Sequence, residues 1–219
     1  MNKILKILEE VFFPQADRCP VCGKEGGFCE SCRTQLRELR TGEGGAFYYD
    51  GIVKSMIHEL KFRDRAYLAE IMGELMAGEL SAEGDVVTAV PLHPKRRRQR
   101  GYNQSRRIAK TYAACKGLPY EDLLVRVRNT PPQSMITKRE DRQNNIRGAF
   151  QPKAGKTIAG RKILLVDDVI TTGATIGECR GELMKAGAAA VTTISFARGR
   201  GYGNSQDIVE TGTGKRSDV

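Results

Sequence analysis

The chain has 219 residues and a net charge of +10, from 36 Lys and Arg against 26 Asp and Glu. That length suits one α/β domain with a small appendage. No apolar run approaches the roughly 20 residues of a membrane-spanning helix, and the composition is that of a soluble intracellular protein. In chain order, residues 1–18 read as an amphipathic helix and a connector with Pro14. Ile4, Leu5, Ile7, Leu8 and Val11 are apolar among Lys and Glu, which is not the pattern of a secretory signal.

Residues 19–32 carry Cys19-x2-Cys22-x6-Cys29-x2-Cys32. Four thiolates at this spacing can converge tetrahedrally on Zn²⁺, with no open position and hence a structural role. The peptide is too short to make a core, so metal binding would drive its folding. Disulfides are the weaker alternative, because thiols of a cytosolic protein read first as metal ligands. Cys115 and Cys179 stand alone and read as buried.

Residues 33–46 read as a charged, Gly-rich link, and 47–51 as a strand and turn. Helices are predicted over 52–62, with Ile52, Met56, Ile57 and Leu60 on one face, and over 67–80, with Leu68, Ile71, Met72, Leu75 and Met76 apolar. Residues 86–90 form a short buried strand that ends at Pro91. The next stretch, 95–110, holds eight Lys or Arg and no acid. It reads as a basic loop on the ligand side of the sheet that attracts polyanions. A helix over 105–115, a strand over 123–127 and a long polar loop over 128–148 follow.

The most informative run is Ile163-Leu164-Leu165-Val166-Asp167-Asp168-Val169-Ile170-Thr171-Thr172-Gly173-Ala174-Thr175. Four apolar residues make a buried strand, with two carboxylates at its carboxyl end. A hydroxyl-rich turn then opens a helix over 175–186. Ligands of open α/β sheets bind at that end of the strands, and a Thr/Gly turn at a helix start offers N–H groups to a phosphate. Carboxylates for sugar hydroxyls beside an anion cradle suit a ribose 5-phosphate. A strand over 190–196 completes an alternating pattern, which indicates a mainly parallel α/β sheet flanked by helices. The expected units are a helix and zinc knuckle over 1–40, an α/β domain over 41–200 and a flexible tail over 201–219.

This run resembles the phosphoribosyl-diphosphate (PRPP) motif of type I phosphoribosyltransferases. The resemblance implies that Asp167 and Asp168 hold the ribose hydroxyls, and that Thr171, Thr172, Gly173, Ala174 and Thr175 hold the 5′-phosphate. Three more features narrow it: Arg97-x2-Arg100-Gly101-Tyr102-Asn103-Gln104, Thr130-Pro131-Pro132-Gln133, and Arg139-x2-Arg142-x2-Asn145-x2-Gly148-Ala149-Phe150. Together with the four cysteines they resemble the ComF competence family, over roughly residues 15 to 200. That implies a type I phosphoribosyltransferase fold, a cytoplasmic location and a link to uptake or processing of transforming DNA.

The chemistry implied is displacement of pyrophosphate from PRPP, which needs Mg²⁺, cations on the leaving diphosphate and exclusion of water. Asp167 and Asp168 suit Mg²⁺. Lys95, Arg96 and Arg97 suit the diphosphate, with Arg100 in reserve. Residues 128–148, with Gln133, Arg139 and Arg142, suit a closing lid. The segment with Tyr49, His58, Lys61 and Phe62 is a candidate base-recognition hood. His93 is better placed than His58 for a site role. Two readings remain open: a working transferase acting on a nucleobase or amine, or a binding module for PRPP, a nucleotide or single-stranded DNA that docks competence or recombination proteins. Oligomeric state is not legible.

Overall fold

The structure is a computed structural model that describes residues 18–19, 21–25, 27–62, 65–131 and 139–201. The predicted helix and connector over 1–18, apart from Arg18, and the predicted tail over 201–219, apart from Gly201, lie outside the described residues. In chain order the elements are α1 (Glu30–Glu38), β1 (Arg40–Glu43), β2 (Gly45–Tyr48), α2 (Gly51–Phe62), α3 (Leu68–Glu79), β3 (Val86–Ala89), α4 (Pro94–Arg100) and α5 (Gln104–Lys116). There follow β4 (Leu124–Arg126), α6 (Arg139–Ile146), β5 (Phe150–Pro152), β6 (Lys162–Ile170), α7 (Ala174–Lys185) and β7 (Ala190–Arg198).

The main sheet has the order β1-β2-β7-β6-β3. β2, β7, β6 and β3 run parallel, and β1 returns antiparallel along β2. β6 lies between β7 and β3. Side chains of a strand alternate between faces, and helices cover both. Leu164 and Val166 pack with Met56, Met72, Ile108 and Phe196 on one side. Ile163 and Leu165 pack with Val86, Ile176, Leu183 and Val191 on the other. Burial on both faces is why β6 reads as a continuous apolar run. Truncating Leu165 to Ala would cost about 2–5 kcal/mol by opening a cavity.

Several expectations are corrected. The link over 33–46 is most of α1, then β1 and the start of β2. Cys32 and Leu36 of α1 are buried, which ties this segment to the core. The strand expected over 123–127 is β4, and it stands outside the main sheet, paired antiparallel with β5. The loop over 128–148 contains α6, which packs on α7 through buried Ile146. Its polar sequence offers one apolar anchor, too little to show helical periodicity. The basic loop over 95–100 is α4. Its start is fixed by Pro94 at the first helical position and by His93, whose Nδ1 accepts the Lys95 N–H at 3.2 Å. Cys179 is buried as expected, but Cys115 is exposed.

Candidate functional site

β6 continues through both carboxylates to Ile170, so Asp167 and Asp168 belong to the strand rather than to the turn beyond it. Asp167 stays in register with Ser195 of β7. The two carboxylates are 8% and 6% exposed. Adjacent strand residues project to opposite faces, and these two meet different partners. Asp167 Oδ1 accepts from Ser105 Oγ of α5 at 2.8 Å and from its neighbour's N–H at 2.9 Å. Asp168 Oδ1 accepts from Val169 N–H at 3.0 Å, and its Oδ2 lies 2.6 Å from Lys61 Nζ at the end of α2.

These contacts split the pair electrostatically. Burial, then the charge on Asp168, push the Asp167 carboxyl well above the ordinary carboxylate range. Burial alone would raise Asp168 too, but the Lys61 ammonium holds it below its ordinary value. Lys61 is correspondingly raised, because Asp168 outweighs the cost of its own burial. Lys61 was expected only as part of a hood, and the structure puts it on the acidic pair itself. The Phe62 side chain lies outside the described residues.

After Ile170 the chain turns through Thr171, Thr172 and Gly173 into α7. The helix begins at Ala174, one residue before the predicted start at Thr175. Gly173 is its N-cap at φ +76°, a left-handed conformation that other residues adopt at a cost. Gly173 has no side chain to cap this helix start, so first-turn N–H groups have no intrahelical partner. A cleft of about 430 Å³ borders the turn, lined by Thr172, Gly173, Glu178, Gln143, Asn144 and Arg147. A groove of about 490 Å³ between α5 and Lys153 holds neither the acidic pair nor the turn.

The two carboxylates fit Mg²⁺ by the chemistry of the donors, which commonly hold this ion through one or two carboxylates plus substrate oxygens and waters. Asp167 and Asp168 would hold it only together with the oxygens of a bound diphosphate. The Lys61 ammonium already neutralises one of their oxygens.

The basic stretch divides by direction. Lys95 and Arg97 are exposed on α4, whereas Arg96 turns inward and donates to the Thr130 carbonyl. Arg126 of β4, a residue not singled out in the sequence, donates to Thr130 Oγ1 at 2.8 Å and stacks over Phe150. Two guanidiniums thus meet at one buried threonine. Burial and then Arg96 lower the Arg126 pKa, while Asp167 opposes that shift. Asn145 Nδ2 reaches the Pro131 carbonyl at 3.2 Å, so both ends of the expected lid are fastened. Of the lid residues, Gln133 lies outside the described residues, as does the Arg139 side chain. Arg142 is half-buried on α6. Further along, Arg106 pairs with Asp122 at 2.9 Å and Arg107 with Glu70 at 3.3 Å. Tyr102 donates to the Leu60 carbonyl and carries Arg107 over its ring. One face of the Tyr102 ring, a candidate platform for stacking a base, is therefore occupied.

The four cysteines do converge. Their sulfurs all lie within 4.8 Å of one another, with Cys22 and Cys29 Sγ 3.6 Å apart. Tetrahedral Zn–S bonds of about 2.3 Å place sulfurs about 3.8 Å apart. All are free thiols, against the disulfide alternative. The first pair sits on a turn in which Cys19 N–H donates to the Lys24 carbonyl and Gly23 takes φ +76°. Cys29 is the N-cap of α1 and Cys32 lies in its first turn. Burial would raise Cys19, but the N–H groups of Cys22, Cys29 and Val21 draw it down to about 6. Burial and the neighbouring sulfurs push Cys32 up. The cluster could hold a metal ion such as zinc.

A mainly parallel sheet in which one strand leads through paired carboxylates and a Thr/Gly turn into a helix defines the type I phosphoribosyltransferase fold. Solved structures that resemble it include glutamine PRPP amidotransferase from B. subtilis, at 27% identity over 57% of this chain and 25% of that one, with a TM-score of 0.41. Adenine phosphoribosyltransferase from Thermoanaerobacter pseudethanolicus resembles it at 14% identity over 63% and 71%, also with a TM-score of 0.41. No family model matches the chain. It is 32% identical over 193 residues to the DNA utilization protein YhgH of Salmonella typhi, covering 82% of this chain and 83% of that protein. It is 30% identical over 186 residues to the competence protein ComFC of Streptococcus pneumoniae, covering 83% and 81%. The chain belongs to the ComF family, to which these relatives belong. Among the described residues, no helix is long and apolar enough to cross a membrane.

Proposed function

We propose that the protein binds PRPP with Mg²⁺ at Asp167, Asp168 and the 171–175 turn, and that it serves competence or DNA utilization as its relatives' names describe. The observation that carries this reading is the buried acidic pair on β6, a few residues from an uncapped helix start. The carboxylates would accept from the ribose 2′ and 3′ hydroxyls. The Thr171, Thr172 and Thr175 hydroxyls and the first α7 amides would donate to the 5′-phosphate. Arg96 would reach the diphosphate, with Lys95 and Arg97 at its outer side. Bound there with the ligand, Mg²⁺ supplies charge neutralisation. The cysteine cluster would hold structural Zn²⁺, and a cytoplasmic location would keep its thiolates reduced.

A second reading is transfer of the phosphoribosyl group to a nucleobase or amine. It is favoured by the two half-buried guanidiniums at Thr130, which would stabilise a departing diphosphate. On the DNA side, exposed Lys95, Arg97 and Arg98 suit a phosphate backbone, and such binding would weaken with salt through counterion release.

The test is calorimetric titration of the protein with PRPP and Mg²⁺. Saturable binding that Asp167→Asn/Asp168→Asn removes supports the assignment, and equal affinity in the double variant refutes it. Release of pyrophosphate only when a base or amine is added would establish the second reading. A labelled oligonucleotide, titrated at two salt concentrations against Lys95→Ala/Arg97→Ala/Arg98→Ala, tests the DNA surface.

A further inference from the structure

The acidic pair brings its own cation. α2 is held to the core by Val53, Met56, Ile57 and Leu60, each nearly without exposure. Its last turn is fastened again where the Tyr102 hydroxyl donates to the Leu60 carbonyl. Lys61 follows directly and delivers its ammonium to Asp168 Oδ2 at 2.6 Å. The lysine is therefore fixed at the ligand end of β6 by two elements that come from elsewhere in the chain. Two adjacent buried carboxylates are costly without a counter-charge. Lys61 supplies one positive charge within the field of both Asp167 and Asp168.

We propose that Lys61 is the resident cation of this site, so that the sugar-phosphate part of a phosphoribosyl ligand binds to the acidic pair without a divalent metal. The inference rests on the reading of the acidic pair given above. With Asp168 oriented and neutralised by the lysine, its carboxylate can accept from a ribose hydroxyl with little added repulsion toward the ligand's phosphate. A divalent ion is then needed for the diphosphate, not for the sugar. Lys61 is a positioning residue on this account, since it acts through Asp168. Without it the two carboxylates would form an uncompensated anionic pair, and the pair would become a divalent-cation site.

The experiment uses the full chain with its cysteine metal in place, in resin-treated buffer free of added divalent ions. Melting temperature is measured with and without Mg²⁺ for the natural protein, Lys61→Met and Lys61→Met/Asp168→Asn. The expected result is no response to Mg²⁺ in the natural protein, a rise of several degrees in Lys61→Met and no response in the double variant. Equal responses in the natural protein and Lys61→Met overturn the proposal. Lys61→Gln, which keeps a neutral donor to Asp168, serves if Lys61→Met does not fold. In the same buffer, ribose 5-phosphate should bind the natural protein and bind Lys61→Met roughly tenfold more weakly, with Mg²⁺ restoring the loss. Equal affinity in both proteins overturns the proposal. If ribose 5-phosphate binds neither protein under any condition, the reading of the acidic pair as a sugar-phosphate site fails. The Mg²⁺ response of the melting temperature still decides whether Lys61 occupies a cation position.

Discussion

The protein gathers negative groups tightly in two places, and it treats them differently. At the cysteine cluster, four sulfurs within 4.8 Å of one another are surrounded by amides and by one another. At the end of β6, two carboxylates are met by a lysine, a serine hydroxyl and two backbone N–H groups. The first centre sits on a turn and a helix start, where a metal ion such as zinc could hold it together. The second is built on a strand buried on both faces, so the fold itself pre-forms it. A structural site can leave its counter-charge to the metal. A buried acidic pair that is pre-formed without any ligand carries its own counter-charge.

The largest expected effect breaks the first centre. Cys32→Ser, or removal of zinc by a strong chelator, should unfold the turn and α1. Structural zinc is worth about 10–16 kcal/mol in isolated finger peptides. Because Cys19, Cys32 and Leu36 also join the core cluster, the melting temperature of the whole domain should fall. Hydrogen exchange over residues 18–38 checks this, and protection that survives metal removal would leave the cluster as four packed thiols.

The next effect belongs to the second centre. Asp167→Asn/Asp168→Asn should weaken PRPP binding by at least about 100-fold, to the point of loss, since about 1.5–3 kcal/mol is lost for each hydrogen bond to a charged group. The fold should be retained, as the measured melting curve would show. Thr172→Val should weaken PRPP binding by only about fivefold, near 1 kcal/mol for one hydroxyl, because the α7 amides remain. A titration in which the threonine variant loses more than the double aspartate variant would reverse the weighting of the two halves.

The smallest effect lies on the far side of α5. Burial would raise the Asp122 carboxyl, but Arg106 and the Tyr120 hydroxyl hold it below its ordinary value. A carboxyl lowered by folding adds stability above its unfolded pKa of about 3.9, and that stability is lost as pH falls through the folded value. Asp122→Asn should therefore flatten the acid limb of the melting-temperature profile below about pH 4. An unchanged profile would mean that the pair is screened.

The legible parts of the molecule are those encoded locally. The apolar run of β6, the acidic pair and the Thr/Gly turn occupy consecutive residues. The paired cysteines likewise carry their geometry in their spacing. α4 escaped because an Arg-rich run shows no apolar face, and α6 because Ile146 is its one apolar anchor. β1 is short, charged and Gly-containing, so it reads as a link until β2 is placed beside it. Lys61 and Arg126 escaped for a different reason. Each is an ordinary cation in its own segment: Lys61 gains meaning only when folding brings it to Asp168, far along the chain, and Arg126, close in sequence to Thr130, only when Arg96 joins it there.

The most direct test of the central claim is a crystal structure of the protein with PRPP and Mg²⁺. Ribose hydroxyls should lie on Asp167 and Asp168, the 5′-phosphate on residues 171–175, and the diphosphate toward Arg96. Ligand bound instead in the groove of Arg106, Tyr120 and Lys153, with the acidic pair and the turn untouched, would contradict it.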